Sequence, residues 1–242
     1  GLLERVLGSF IYKKNICVSQ AVLDSYNHYP SSYKNKTKVI HNGTPPLIKV
    51  DDNSLTAKSY FNMTGDKLVL GCLGRLHEQK NVEFALDVVS LNDNVILYIA
   101  GTGHLENMLR NKVRELSIEK RVVFLGSIYK EDITRFYRAV DVLLFPSRFE
   151  GFGRVLIEAL SEGTLVLAHD IPVVREVAND AAITMPLNSE KWASELQNII
   201  DNKYEYSHYS DKGIRRAMNF TISAMADGYL KAAGLAGTKN GK

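Results

Sequence analysis

Glu150 and Glu158 stand in the segment Phe145 to Glu158, F-P-S-R-F-E-G-F-G-R-V-L-I-E. The apolar run Val140 to Phe145 reads as a buried strand, and Pro146 ends it, because proline donates nothing to a sheet ladder. Gly151 and Gly153 flank Phe152 in the loop, and Val155 to Leu160 has helical character. One carboxylate therefore stands at the carboxyl end of a strand. The other projects from the first turns of the next helix. In open α/β sheets that edge is where ligands bind. Glycines admit close backbone approach, and a helix start presents free N–H groups. Carboxylates accept hydrogen bonds from vicinal hydroxyls, a chemistry that phosphate alone would not require. The stretch reads as a polyol or nucleotide-sugar site.

A cationic counterpart stands earlier, in Gly74-Arg75 and Lys80, at another strand-to-helix turn. A guanidinium fork beside a point charge suits a diphosphate. A surface Arg and Lys on an ordinary loop fits the same residues. Gly101-Thr102-Gly103 is read as a tight turn, because Glu106 replaces the third glycine of the dinucleotide fingerprint. Glu150 and Glu158 also fit as helix-start acids, an account that suits Glu150 better than the apolar-flanked Glu158. A glycosidase pair would want further supporting acids, and none lies nearby in sequence. The six histidines are scattered with no ligand pair at helical spacing, and no C-x-x-C suggests zinc. No D-x-D occurs, which removes the simplest metal–diphosphate grip. Ser147 lacks the G-x-S-x-G context of a hydrolase nucleophile, and no aromatic stacking platform points to nucleic acid.

The elements that must position these groups follow from periodicity. Strands are expected at Leu68 to Leu73, Val95 to Ala100, Val122 to Leu125, Val140 to Phe145, Leu165 to Ala168 and Ala182 to Met185. Helices are expected between them at Asn81 to Ser90, Leu105 to Leu116, Lys130 to Ala139, Val155 to Leu160 and Val173 to Ala178, with three more at about 189–202, 206–219 and 221–232. This alternation predicts an α/β fold, a Rossmann-like parallel sheet with helices on both faces. Before it, residues 1–12 read as an apolar helix, Asn15 to Ser19 and Lys38 to Asn42 as short strands, and Gln20 to Asn27 as a helix. Asn42-Gly43 and Thr44-Pro45-Pro46 form a turn and a stiff connector, where a boundary is placed. Residues 1–44 are thus one unit, 45–232 a second, and 233–242 a frayed tail.

The chain has 242 residues, 45% hydrophobic and 24% charged, with a net charge of +3, too small to argue for nucleic acid. Residues 1–40 carry six Lys/Arg against two acids, which suits either a solvated rim or peripheral contact with an anionic membrane. Cys17 and Cys72 lie in apolar runs and read as buried, reduced thiols. With no signal peptide and no long apolar run, a cytoplasmic protein is expected, at most peripheral at the inner membrane surface.

These motifs together carry a resemblance. E-G-F-G-R-V-L-I-E resembles the E-x7-E signature of family-4 retaining glycosyltransferases, which have the GT-B fold. F-P-S precedes it, and Ser161 to Ala168 (S-E-G-T-L-V-L-A) is similar to the family's A-x-G-x-P-V-V-A. G-R-L-H-E-Q-K-N resembles G-R-L-x-x-x-K-G, and Asn42-Gly43 resembles the strand-end N-G at the interdomain connector. The resemblance covers the chain from about residue 15. It implies that Arg75 and Lys80 hold the donor diphosphate and stabilise the leaving group. It implies that Glu150, with the N–H groups of Gly151, Phe152 and Gly153, binds sugar hydroxyls and phosphate. Glu158 would grip the ribose, and the loop at Ser127 and Ile128 would cradle the base. The donor would be a nucleoside-diphosphate sugar, UDP favoured, with no metal, and the acceptor a glycan or lipid-linked glycan. Asn81 and Arg154 depart from the family's usual glycine and aliphatic residue. The resemblance also implies a preceding acceptor domain, of which residues 1–44 would be the end, so that the chain alone would be incomplete. The open alternative is a non-catalytic nucleotide-sugar-binding subunit. A nucleotide-dependent oxidoreductase lacks its G-x-G-x-x-G.

Overall fold

The computed structural model describes residues 2–63 and 65–235. The chain opens with α1 (Leu2–Val6), which runs on into a π-helical turn, Leu7–Ile11. The predicted helix is therefore present, but Leu3, Val6, Phe10 and Ile11 on it are exposed rather than packed. β1 (Asn15–Cys17), α2 (Gln20–Asp24), α3 (Ser31–Lys34) and β2 (Thr37–Val39) follow. β1 and β2 form their own two-stranded parallel sheet. The second strand is shorter than expected, because pairing ends where Ile40 donates its last bond to Cys17.

After the connector comes α4 (Ser54–Tyr60), which periodicity did not single out. Its start is fixed by Asn53, whose Oδ1 accepts from Thr56 N at 3.0 Å, a side-chain N-cap. Then the chain alternates: β3 (Leu68–Leu73), α5 (Val82–Ser90), β4 (Val95–Ala100), α6 (Glu106–Glu115), β5 (Val122–Gly126), α7 (Glu131–Ala139), β6 (Val142–Phe145), α8 (Arg154–Ser161), β7 (Leu165–His169), α9 (Pro172–Ala178) and β8 (Ile183–Met185). α10 (Ser189–Asp201), α11 (His208–Ala217) and α12 (Ile222–Ala233) close it. The expected tail lies outside the described residues beyond residue 235.

The six strands run parallel in the order β5-β4-β3-β6-β7-β8. This confirms the Rossmann-like α/β sheet. Period-2 alternation sends neighbouring side chains to opposite faces. Leu143 and Phe145 join Phe136, Leu156 and Val174 in one core, while Val142 and Leu144 join Leu97, Val88 and Trp192 in the other. Strand order reverses between β3 and β6. That reversal is the topological switch point, and the crevice outside its carboxyl ends is the natural ligand position.

Candidate functional site at the switch point

The loop after β3 carries Arg75 and Lys80, and the loop after β6 carries Glu150 to Gly153, so parallel pairing of β3 and β6 brings them to one edge. The two loops are sewn together by backbone and side chain. Arg148 N donates to Gln79 O at 2.9 Å, Gln79 Nε2 to Phe149 O at 3.0 Å, and Asn81 Nδ2 to Pro146 O at 3.3 Å. Asn81, one of the two departures noted in the sequence, thereby serves the loop-to-loop suture. It holds a left-handed backbone at φ 51°, a conformation that asparagine tolerates better than most residues.

Lys80 Nζ lies 2.5 Å from Glu150 Oε1, with the two side chains 21% and 8% exposed. The ammonium also sits 5.3 Å from the centre of the Phe145 ring. The cation expected for diphosphate and the acid expected for sugar thus meet as a pair. Arg75 is exposed, and among the described residues no carboxylate pairs with it. It is a cation without a competing acid at this edge.

The glycine loop is anchored from the amino-terminal sheet as well. Ser19 Oγ donates to Gly151 O at 2.9 Å. Phe152 is buried against His41 and Phe220, at ring separations of 5.8 and 5.4 Å. Gly153 adopts φ 82°, which L side chains rarely adopt, and so turns the chain into α8. Among the described residues no acceptor is found for the N–H groups of Gly151, Phe152 and Gly153. Three consecutive donors therefore stand at the start of α8 beside Lys80. Free donors at a helix start form an anion site.

Glu158 is buried on α8 with its side chain 10% exposed, and both its oxygens are engaged. Oε2 accepts from Tyr137 Oη at 2.9 Å, and Oε1 from Arg154 Nε at 3.1 Å. Burial, reinforced by the Glu158 charge, holds the Tyr137 phenol well above its ordinary range, so it stays a donor. A carboxylate group offers about four acceptor positions, so the two bonds leave others open. Arg154, with a 70% exposed side chain, is the partner that can swing away. Tyr137 was not legible as a site residue, because its partner is 21 positions away and only the packing of α7 on α8 joins them.

Ser127 and Ile128 share the same carboxyl edge, but β5 is the outer strand, with β4 and β3 between it and β6. Ser127 Oγ lies 3.3 Å from Thr102 Oγ1, and Ile128 packs half-buried against the core. Among the described residues no hydrogen bond joins either of them to Glu150 or Glu158. Gly101 and Gly103 are closer to a suture than to a simple turn. A Cβ at Gly101 would fall 1.9 Å from Gly74 O, and one at Gly103 2.2 Å from Leu76 O. Enclosed space at the switch point is small, about 10 Å³, among Gly74, Lys80, Phe145 and Ser147. A hollow of about 840 Å³ opens at the opposite edge, beside Leu68, Asp141 and Leu165 at or just before the strand starts, and contains none of the candidate residues.

The structure also pairs histidines that sequence treated singly. His41 Nε2 lies 2.7 Å from Glu176 Oε1, and that carboxylate accepts from Gln20 N and Ala21 N at 2.7 and 2.9 Å. His169 Nδ1 meets Ser147 O at 2.9 Å. Among the described residues no helix is long and apolar enough to cross a membrane.

The sequence profile of the family described as glycosyl transferases group 1 matches residues 57–216. An alpha-monoglucosyldiacylglycerol synthase of Streptococcus pneumoniae is 30% identical over 175 residues, which cover 68% of this chain and 39% of that protein. An O-antigen biosynthesis glycosyltransferase of Escherichia coli is 24% identical over 196 residues, 78% of this chain and 54% of its own length. This chain therefore spans about half the length of these curated relatives, or less. In fold it is similar to HepE of Anabaena, solved with UDP and glucose, at a TM-score of 0.84 and 20% identity, covering 96% of this chain and 66% of that one. Sucrose-phosphate synthase from Thermosynechococcus elongatus gives a TM-score of 0.83 at 21% identity, covering 97% and 61%.

Proposed function

This chain belongs to the glycosyl transferases group 1 family, and from that premise we propose that it is the donor-binding half of a retaining glycosyltransferase. The donor is a nucleoside-diphosphate sugar, with UDP as the favoured nucleotide, and the acceptor is a glycan or glycolipid. The observation that carries this reading is the run of three unsatisfied N–H groups, Gly151 to Gly153, beside the Lys80–Glu150 pair at the switch point. Donors and a cation of this kind suit a diphosphate, and a carboxylate among them suits sugar hydroxyls.

In this reading Arg75 and Lys80 stabilise charge on the diphosphate as its bond to the anomeric carbon breaks. Preorganised cations and backbone donors do this without any reorganisation at the moment of reaction. Glu150 accepts from sugar hydroxyls and fixes the donor's orientation, a contribution of positioning. Glu158 holds the ribose, and Ser127 with Ile128 flanks the base. No metal is required, because the cations supply the charge. The acceptor wall of the cleft comes from a further domain, in keeping with relatives about twice as long. The basic amino-terminal stretch is the proposed contact with an anionic membrane surface when the acceptor is lipid-linked.

Titration calorimetry with UDP, GDP and ADP, with and without magnesium, tests the donor reading. Saturable binding of UDP in chelator is expected, and binding that requires magnesium would overturn the metal-free part. Purified residues 1–242 are expected to bind UDP yet transfer no sugar, so detectable transfer would refute the need for a further domain.

A further inference from the structure

His77 and Glu78 follow Arg75 on the loop after β3, and His104 lies on the loop after β4. Sequence separates them, but the sheet places β3 beside β4, and backbone bonds lock the loops together. Leu76 N donates to Thr102 O at 2.9 Å, and Leu105 N to Leu76 O at 3.3 Å. Gly103 permits this approach, since a Cβ there would strike Leu76 O. The result is a preorganised trio. Glu78 Oε2 lies 3.1 Å from His77 Nδ1, and Oε1 lies 2.9 Å from His104 Nε2. One ligating atom from each residue lies within 4.8 Å of the other two. The imidazoles meet edge to face, with centres 5.0 Å apart at 81°.

A second observation concerns one nitrogen. His77 Nδ1 is within reach of Gln79 N, which donates to it at 3.3 Å, and of the Glu78 carboxylate at 3.1 Å. Nδ1 has one lone pair, so a cation bound there takes the place of the Gln79 hydrogen bond and sits against the Glu78 carboxylate. Around a tetrahedral ion, ligand atoms stand about 3.3 Å apart, given metal bonds of about 2.0–2.2 Å. The two Glu78 separations, one to each carboxylate oxygen, are already close to that, and one ligand atom from each of the three residues lies within 4.8 Å of the others.

We propose that His77, Glu78 and His104 form a binding site for a divalent transition-metal ion of the zinc type, with its remaining coordination position open to solvent. Two imidazoles and one carboxylate favour zinc, nickel or copper over magnesium, which takes oxygen ligands and keeps its waters. None of the three is among the groups assigned to the donor, although His77 and Glu78 share the Arg75–Lys80 loop, and the metal proposal stands whether or not the donor reading holds.

The test is titration of the chelator-treated, full 242-residue chain with zinc chloride, without nucleotide, together with thermal unfolding. One ion per chain is expected, with an upward shift of the melting temperature at saturation. Magnesium is expected to give no saturable heat. His77→Ala and His104→Ala are each expected to weaken zinc by about tenfold or more, since each removes one of three ligands. These side chains are about half exposed, so their variants keep the fold. The double variant is expected to lose the melting shift. Absence of saturable zinc binding by the unmodified chain would overturn the proposal. Binding that survives in the double variant would place the ion on other histidines and overturn it equally.

Discussion

Replacement of Lys80 and of Glu150 should separate the two roles that meet in their 2.5 Å pair. Lys80→Met leaves a carboxylate that is only 8% exposed without its cation. Breaking a fully buried pair costs about 3–5 kcal/mol. Lys80 is 21% exposed, so water can follow it in, and the expected cost falls to about 1–3 kcal/mol. For a chain of this size that corresponds to a melting temperature lower by roughly 2–12 °C. If Lys80 grips the diphosphate as proposed, the same change removes a charge-assisted bond worth about 1.5–3 kcal/mol, or roughly 10- to 150-fold in the dissociation constant for UDP. Glu150→Gln behaves differently. UDP lacks the transferred sugar, so the loss of a carboxylate proposed to grip that sugar does not weaken it, and Lys80 is released from a competing anion. UDP affinity should stay level or rise by up to about threefold, an effect below 1 kcal/mol. Calorimetry with UDP, paired with a thermal melt of each variant, reads both quantities. If Glu150→Gln weakened UDP as strongly as Lys80→Met, Glu150 would be orienting Lys80 rather than competing for it. If Lys80→Met left UDP affinity unchanged, the diphosphate assignment would be wrong.

Three further outcomes follow from the same geometry. Tyr137→Phe removes the donor to the buried Glu158 carboxylate and should cost about 1–3 kcal/mol, read as a lower urea midpoint; an unchanged midpoint would remove Tyr137 from the support of Glu158. Burial would by itself raise the Glu176 carboxyl, but the N–H groups of Gln20 and Ala21 and the ring of His41 outweigh it and hold it below 4.5. Its depressed value makes its stabilisation complete above the ordinary carboxylate range and lost as pH falls through the lowered value, so Glu176→Gln should be less stable than the parent at pH 7, with the difference vanishing in acid. Burial pushes the Cys72 thiol up to about 12 and raises that of Cys17, so Ellman's reagent at mildly alkaline pH should label neither thiol until denaturant is added.

Much of the fold was legible because it rests on local pattern. The strand expected at Val140 to Phe145, stopped by Pro146, is found as Val142–Phe145, with the end where the proline placed it. The helix behind Gly153 began where the glycine and the apolar run placed it. α4 was missed because seven residues with one buried side chain, Ala57, leave almost no periodic signal, and its clearest cue is the Asn53 cap. The amino-terminal helix was legible as apolar, yet its apolar residues lie exposed, since periodicity records a face and not what covers it.

The sequence alone singled out Arg75, Lys80, Glu150 and Glu158 as candidates and placed them at strand ends, because residue type and spacing along the chain need no third dimension. Only the tertiary structure decided their company. Parallel pairing of β3 with β6 turned 70 residues of separation into the Lys80–Glu150 pair, and packing of α7 on α8 gave Glu158 its tyrosine. Pairing of β3 with β4 gathered His77, Glu78 and His104, a trio absent from every linear motif. Hydrogen bonds and ion pairs act over a few ångströms of space, so their partners are fixed by strand order and helix packing, which emerge only when the whole core closes.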